Sequence, residues 1–257
     1  MMVQERYDRI LQMLEADGRV SIEALKTDLG FSIETLRRDL KQLEGKNLLK
    51  RVYGGAVLAA PSTREPSYSD RTTRHLDVKM AIARKAASLI HDGDSIALDL
   101  GTTVFETAKL LVDKQNLTIL TNSLNITQFL LSNTSHKIYL LGGLLRSGEN
   151  ATSGMSCEMM LDSFRVDKAI VGVAGIGLAE GVTDYIESEV QVRKKMISIA
   201  KQIIGLADYS KFNQVAFCKV CDASRFDTLI TDEKTPAETV RQFVSAGINI
   251  VVADSIR

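Results

Sequence analysis

The sequence predicts an α/β protein in two parts, a short helical module closed by a hairpin and then a larger domain on a mainly parallel sheet. Three observations predict it. Apolar residues recur at helical spacing up to Leu43 and then give way to a Gly-Gly pair between two short apolar runs. A stretch at 59–75, rich in Ser, Thr and Arg and holding Pro61 and Pro66, shows no apolar periodicity. From Ile96 onward, short continuous apolar runs alternate with helical segments, as strands covered on both faces should. The predicted boundaries are residues 1–58, a linker at 59–75, and a second domain at 76–257.

In the module, Tyr7, Ile10, Leu11 and Leu14 give a first helix one buried face, and Asp17-Gly18 ends it. Ser21 caps a second short helix with apolar Ile22, Leu25 and Leu29, and Gly30-Phe31 turns the chain. Ser32 caps a third helix whose stripe is Ile33, Leu36, Leu40 and Leu43. At about 100° per residue, Arg38 points directly away from that stripe, with Glu34, Thr35, Lys41 and Gln42 around it and Arg37 at the margin. Two short helices joined through a Gly-containing turn predict a helix-turn-helix, whose second helix enters a DNA major groove. Runs at 47–53 and 56–58 flank Gly54-Gly55 and predict a hairpin, so the module reads as a winged helix.

Charge supports the same reading. Between Leu36 and Arg51 the cations Arg37, Arg38, Lys41, Lys46, Lys50 and Arg51 face only Asp39 and Glu44, while the whole chain balances at zero. A local basic patch on a neutral protein fits a module that contacts phosphates, because counterion release drives such binding.

Composition narrows the remaining classes. No apolar run reaches the roughly 18 residues of a membrane span, and the first residues carry no signal-peptide core, so a cytoplasmic protein is expected. Three cysteines do not make a disulfide framework. Cys218-Lys-Val-Cys221 has metal or redox spacing but no second pair, and a structural role is expected for it. His75, His91 and His136 are scattered without ligand spacing, and neither metal nor cofactor is expected.

In the second domain, Val78, Ile82, Leu89 and Ile90 predict a helix ending at His91-Asp-Gly93. Strands are predicted at 96–98, 117–120, 138–141, 169–173, 203–207, 229–230 and 248–252, with helices at 105–112, 126–131, 155–164, 189–200 and 237–246 between them. The residues just after the strands are the informative ones: Asp99-Leu-Gly101-Thr102-Thr103, Thr121-Asn122-Ser123, Gly142-Gly143, Gly175, and Asp208-Tyr-Ser-Lys211. Open α/β sheets bind ligands at that edge. Gly101-Thr102-Thr103 also opens a helix, where N–H groups and two hydroxyls could cradle a phosphate. No P-loop sequence is present.

Taken together, Arg6-x-x-x-Ile10-Leu11, Gly18-x-Val20-Ser21, Leu36-Arg37-Arg38-Asp39-Leu40 and Arg51-Val-Tyr53-Gly54-Gly55-Ala56 resemble the DeoR family of bacterial transcriptional repressors. The resemblance continues through Leu98-Asp-x-Gly-Thr-Thr103, Thr121-Asn122-Ser123, Leu141-Gly-Gly143, Gly172-x-x-Gly-Ile176, Gly181-x-Thr-Asp184, Glu189 and Ala207-Asp-x-Ser-Lys-Phe212. It implies that the helix around Arg37 and Arg38 reads an operator and that the Tyr53-Gly54-Gly55 wing lies against the backbone. It also implies a sensor domain for a phosphorylated sugar, similar in fold to sugar-phosphate isomerases. There Gly101–Thr103 would hold the phosphate, Asp99, Asn122, Glu189 and Lys211 would serve the sugar end and the charge complement, and Asp184 and Asp208 are further candidates. A homodimer or homotetramer is implied as well.

Two functions follow. One is a repressor of carbohydrate use whose operator affinity responds to a phosphorylated sugar. The other is an isomerase-like enzyme with a DNA-binding appendage, which needs a base such as Glu189 and an acid opposite it. Ala174 stands where isomerases of this fold carry a polar or acidic residue, so a non-enzymatic sensor is the expectation.

Overall fold

The computed structural model describes residues 3–45, 48–58 and 65–254. The chain divides into two compact units, 1–64 and 65–257. Lys46, Asn47 and Pro61 lie outside the described residues.

The first unit runs α1 (Val3–Asp17), β1 (Arg19–Ser21), α2 (Ile22–Leu29), α3 (Ile33–Gly45), β2 (Leu49–Val52) and β3 (Gly55–Leu58). Gly18 ends α1 at φ 70°, and Gly30 ends α2 in the left-handed region at φ 73°, its N–H donating to the Lys26 carbonyl. Ser21 accepts from the Ala24 N–H and Ser32 from the Thr35 N–H, so both expected caps are present. Leu36, Leu40 and Leu43 are buried with Ile10, Leu14, Leu25, Leu29 and Leu49 in one core, each contributing about 1.5–3 kcal/mol.

Two expectations need correction here, and one strand was not expected. Ile33, in the first turn of α3, is 37% exposed and does not join the core stripe. The three-residue β1 carries too few side chains to show alternation, yet it completes an antiparallel sheet in the order β1-β3-β2. The hairpin turn is Tyr53-Gly54, with Gly54 at φ 76°, while Gly55 belongs to β3 and pairs with Ser21 and Val52.

The second unit runs α4 (Tyr68–Thr73), α5 (Leu76–Ser88), β4 (Ser95–Leu98), α6 (Thr102–Lys109), β5 (Thr118–Thr121), α7 (Leu124–Asn133) and β6 (Lys137–Leu140). It continues through β7 (Leu144–Arg146), β8 (Ala151–Ser153), α8 (Met155–Asp162), β9 (Val166–Gly172), β10 (Gly175–Gly177) and β11 (Gly181–Asp184). It closes with α9 (Glu187–Ile199), β12 (Ala200–Leu206), β13 (Cys218–Cys221), β14 (Thr228–Asp232), α10 (Ala237–Ser245) and β15 (Ile250–Ala253). All seven expected strands are present and form one sheet in the order β15-β14-β12-β9-β4-β5-β6, every pairing parallel. Along β4, Ile96 and Leu98 enter the core under α5, α6 and α7, while Ala97 enters the core under α8, α9 and α10.

The order reverses at β4: β5 and β6 extend to one side, and β9, β12, β14 and β15 to the other. The loops leaving β4 and β9 therefore part at their carboxyl ends and open the crevice in which such sheets bind ligands. Two smaller antiparallel pieces were not expected, the β7–β8 hairpin and a sheet in the order β10-β11-β13. The expected linker is shorter than 59–75, since residues from Glu65 onward belong to the second unit and Ser67 caps α4 through the Asp70 N–H.

The fit of the wing gives a first prediction. A Cβ on Gly55 would stand 1.9 Å from the Val20 carbonyl oxygen. Gly55→Ala should therefore destabilise the module by roughly 1–3 kcal/mol, or about 4–8 °C in its thermal midpoint per kcal/mol. Scanning calorimetry of the full chain measures this, and an unchanged module transition would show that β1 and β3 do not approach so closely.

Candidate functional site

Each unit presents one candidate surface. On the winged helix, Glu34, Arg37, Arg38, Lys41 and Gln42 are exposed along the outer face of α3, as expected, while Thr35 is half-buried and bonded to the Ser32 hydroxyl. Both local carboxylates are already paired, Asp39 with Arg6 and Glu44 with Arg51. Arg37, Arg38, Lys41 and Lys50 have no ion-pair partner among the described residues, so these four charges stay open on the surface beside the exposed carboxylate of Glu34. Arg51 donates to Glu44 at 2.7 Å and is a weaker phosphate candidate than expected. Tyr53 projects from the wing, 92% exposed, beside exposed Gly54. Gly55 is buried against Val20 and Ser21 serves as a cap, so neither is free for a nucleic acid.

In the second unit a cleft lies at the reversal point, lined by loops from several strands. The β4–α6 loop supplies Gly101, Thr102 and Thr103; the end of β9 supplies Gly172, Val173 and Ala174; the turn after β12 supplies Asp208, Ser210 and Lys211. Gly101 has φ 131° and ψ 152°, which favour glycine, and it precedes the first turn of α6 without a side-chain cap. Those first N–H groups are the positive end of the helix. Arg74, His75, Lys79 and Lys211 line the same cleft. Burial pulls the Lys79 ammonium down to about 8, and its Nζ donates to the Arg71 carbonyl. Burial also lowers the His75 imidazole, whose ring meets Tyr209 edge-on at 5.0 Å. Burial alone would raise the Asp208 carboxyl, but Lys211 and the Ser210 hydroxyl and N–H hold it below its ordinary value.

The opposite wall is acidic and held by arginines. Arg193 binds Asp99 at 2.6 Å and also Asp184, with all three side chains buried. Arg146 reaches Glu65 at 2.9 Å, and Arg71 pairs with Glu65 and Glu149. Arg146 Nε lies 2.6 Å from Glu189 Oε1, yet neither atom has hydrogen-bond geometry to any partner. Burial raises the Glu189 carboxyl to about 7, against the pull of Arg146 and Arg193.

The structure thus brings together Gly101, Thr102, Thr103, Asp184, Glu189, Asp208 and Lys211 from the expected set. It does not bring in the others. Asp99 lies beneath the cleft, accepting from Arg193 and from the Gly172 N–H at 3.1 Å. Thr121 accepts from the Ser123 N–H, Ser123 caps α7, and Asn122 donates to the Thr152 carbonyl. The Asn122 amide and backbone bonds from the Thr152 N–H to the Asn122 carbonyl and from the Leu124 N–H to the Asn150 carbonyl dock the β7–β8 hairpin onto this loop. Gly142 lies outside the cleft, and so does Gly143, at φ 141°, where a Cβ would meet the Ser153 carbonyl oxygen at 2.4 Å. Gly175 starts β10 because a Cβ there would stand 2.5 Å from the Gln214 carbonyl oxygen.

Sequence reasoning missed Glu65, Arg71, Arg74, Lys79, Tyr185 and Arg193, all of which line the cleft. The charges at 65–74 inside a supposed linker were the available signal. Cys218 and Cys221 sit in β13 as free thiols, and burial pushes Cys221 up to about 11. Among the described residues no group of three or more His, Cys, Asp and Glu could hold a metal, and no helix is long and apolar enough to cross a membrane.

A winged helix with an uncompensated basic face, joined to an α/β unit with a charged cleft, defines a DNA-binding protein with a sensor domain. Two family models match, the DeoR-like helix-turn-helix domain over residues 6–62 and the DeoR C terminal sensor domain over 74–233. The transcriptional repressor GlcR of Bacillus subtilis is 41% identical over 89% of this chain and 88% of its own length. The glycerol-3-phosphate regulon repressor of Escherichia coli K12 is 32% identical over 92% and 94%. The chain belongs to the DeoR family of transcriptional regulators. Among solved structures, a ribose 5-phosphate isomerase from Methanocaldococcus jannaschii aligns with 53% of this chain and 54% of that one, at 18% identity and a TM-score of 0.40.

The acidic wall gives a second prediction. Because Glu189 holds its proton up to about 7 when folded, against an ordinary 4.5, its contribution is fully present below pH 4.5 and is lost as pH rises through 7. The thermal midpoint of the wild-type chain should therefore fall relative to that of Glu189→Gln across this window. Parallel curves from pH 4.5 to 7 would place the carboxyl in water.

Proposed function

We propose that this chain represses genes of carbohydrate use and that a phosphorylated sugar or related metabolite, bound in the cleft of the second unit, changes its affinity for the operator. The α3 helix enters the major groove with Arg37, Arg38, Lys41 and Gln42, and the wing meets phosphates through Lys50 and Tyr53. The metabolite's phosphate sits at the start of α6, on the N–H groups and hydroxyls of Gly101–Thr103, with Lys211 and Lys79 as counter-charges. Its hydroxyls face Asp184 and Glu189. The observation that carries this reading is the convergence of the loops after β4, β9 and β12 on one cleft at the reversal of strand order.

The glycerol-3-phosphate regulon repressor among the relatives supports a phosphorylated ligand. A sensor rather than an enzyme is proposed, because Ala174, at the end of β9 in the cleft, carries no ionisable side chain. The chain acts in the cytoplasm as a homodimer or homotetramer, whose two-fold symmetry suits operator half-sites about one helical turn apart. For the ligand to act at all, its affinity must differ between two conformations, typically by 1–3 kcal/mol.

Arg38→Ala should weaken operator binding by roughly 1–3 kcal/mol while leaving the ligand response intact. Thr102→Val and Lys211→Ala should do the reverse, raising the ligand's dissociation constant roughly 10- to 150-fold for each charge-assisted bond of about 1.5–3 kcal/mol lost. The experiment is an operator-binding titration of all three variants with a panel of triose, pentose and hexose phosphates. Wild-type responses in both Thr102→Val and Lys211→Ala would remove the ligand from this cleft, and turnover of any panel member would favour the enzyme.

A further inference from the structure

Arg6 on α1 and Asp39 on α3 are 33 positions apart and meet inside the winged helix. Nε donates to Asp39 Oδ2 at 2.5 Å and Nη2 to Oδ1 at 2.9 Å, a two-point contact. The same guanidinium lies over the Phe31 ring, 4.5 Å from its centroid, in the turn between α2 and α3. Arg6 is 6% exposed and Asp39 is 3% exposed, so neither reaches a phosphate or a base edge.

We infer that Arg6 and Asp39 are positioning residues for DNA reading: together they fix the rotation of α3 about its own axis, and so decide which base edges Arg37, Arg38 and Lys41 meet. At its carboxyl end α3 is also held by Glu44, which accepts from the Arg51 N–H and Nε of β2. Along the helix itself its other anchors are Leu36, Leu40 and Leu43, whose apolar contacts are non-directional and tolerate sliding. A fork of two parallel N–H···O bonds does not tolerate it. Side-chain tips stand about 5–6 Å from a helix axis, so a roll of about 20° carries them roughly 2 Å. Hydrogen bonds to base edges span a window of only about 0.5 Å. A buried ion pair is a poor stabiliser beside a well-packed apolar pair, and its best-attested use is to select one arrangement among several. Asp39 adjoins Arg38 in the chain, so the clamp acts at the middle of the reading face.

The test uses the full chain, a duplex selected by the wild type from a random pool, and an unselected random duplex. Arg6→Met combined with Asp39→Leu replaces the pair by apolar side chains of similar reach. The expected result is a thermal midpoint at or above wild type, with unchanged affinity and salt dependence on random DNA, and at least a tenfold fall in the ratio of selected to random affinity. Arg6→Lys, which keeps the charge but loses the fork, should give an intermediate ratio. A wild-type ratio in the double variant would overturn the inference. A drop in midpoint that carries both affinities down in parallel would also overturn it, by making the pair a stability element. Failure of the wild type to select any duplex would instead sink the DNA-reading role of α3.

Discussion

The candidate ligand site depends most on Arg193, a buried cation in the cleft wall that ties Asp99 beneath it to Asp184. Asp99 follows β4 directly and leads into the Gly101 loop; Asp184 ends β11; Arg193 comes from the middle of α9. One guanidinium thus joins three elements far apart in sequence. Burial opposes its charge, but the two carboxylates outweigh that and hold it above the ordinary arginine range. Removing one member would leave an uncompensated buried charge, which costs about 3–5 kcal/mol, far more than the net worth of the intact set.

Around that clamp the cleft has two characters. Its cationic side gathers Arg74, His75, Lys79 and Lys211 near the start of α6, and its acidic side gathers Asp184 and Glu189, with Glu65 beside Arg71. The segment from Glu65 to Lys79 forms part of the wall and is continuous with the stretch that leads back to the winged helix. Lys79 already holds the Arg71 carbonyl, and Arg71 holds Glu149. The cleft wall and the start of the second unit therefore share the Lys79 ammonium.

Much of this was legible in the sequence, and the exceptions have physical causes. The seven parallel strands were readable because burial on both faces makes their apolar runs continuous. The stripe of α3 was readable except at Ile33, where the first turn projects past the core. Thr121-Asn122-Ser123 looked like a ligand loop because hydroxyls and amides that bind a sugar are the same groups that satisfy backbone, here the loop's own turn, the start of α7 and, through Asn122, the β7–β8 hairpin. Choosing between the two uses needs the tertiary contacts, because β5 pairs directly with β4 and only the hairpin packed on its loop keeps that loop out of the cleft. The pairs Arg6–Asp39 and Arg146–Glu65 were invisible because periodicity reports a residue's face and not its partner across 33 or 81 positions.

The central claim is that the ligand site is built at the reversal of the sheet, from the loops after β4, β9 and β12, and not along the whole carboxyl edge. The most direct measurement is backbone amide chemical-shift perturbation in the full chain, with glycerol 3-phosphate and hexose phosphates added in turn. The account predicts the largest saturating shifts at Gly101, Thr102 and Thr103 and at Lys211. Asn122, Ser123 and Gly143 should move little. Dominant shifts at those three residues, with Gly101–Thr103 unmoved, would contradict it.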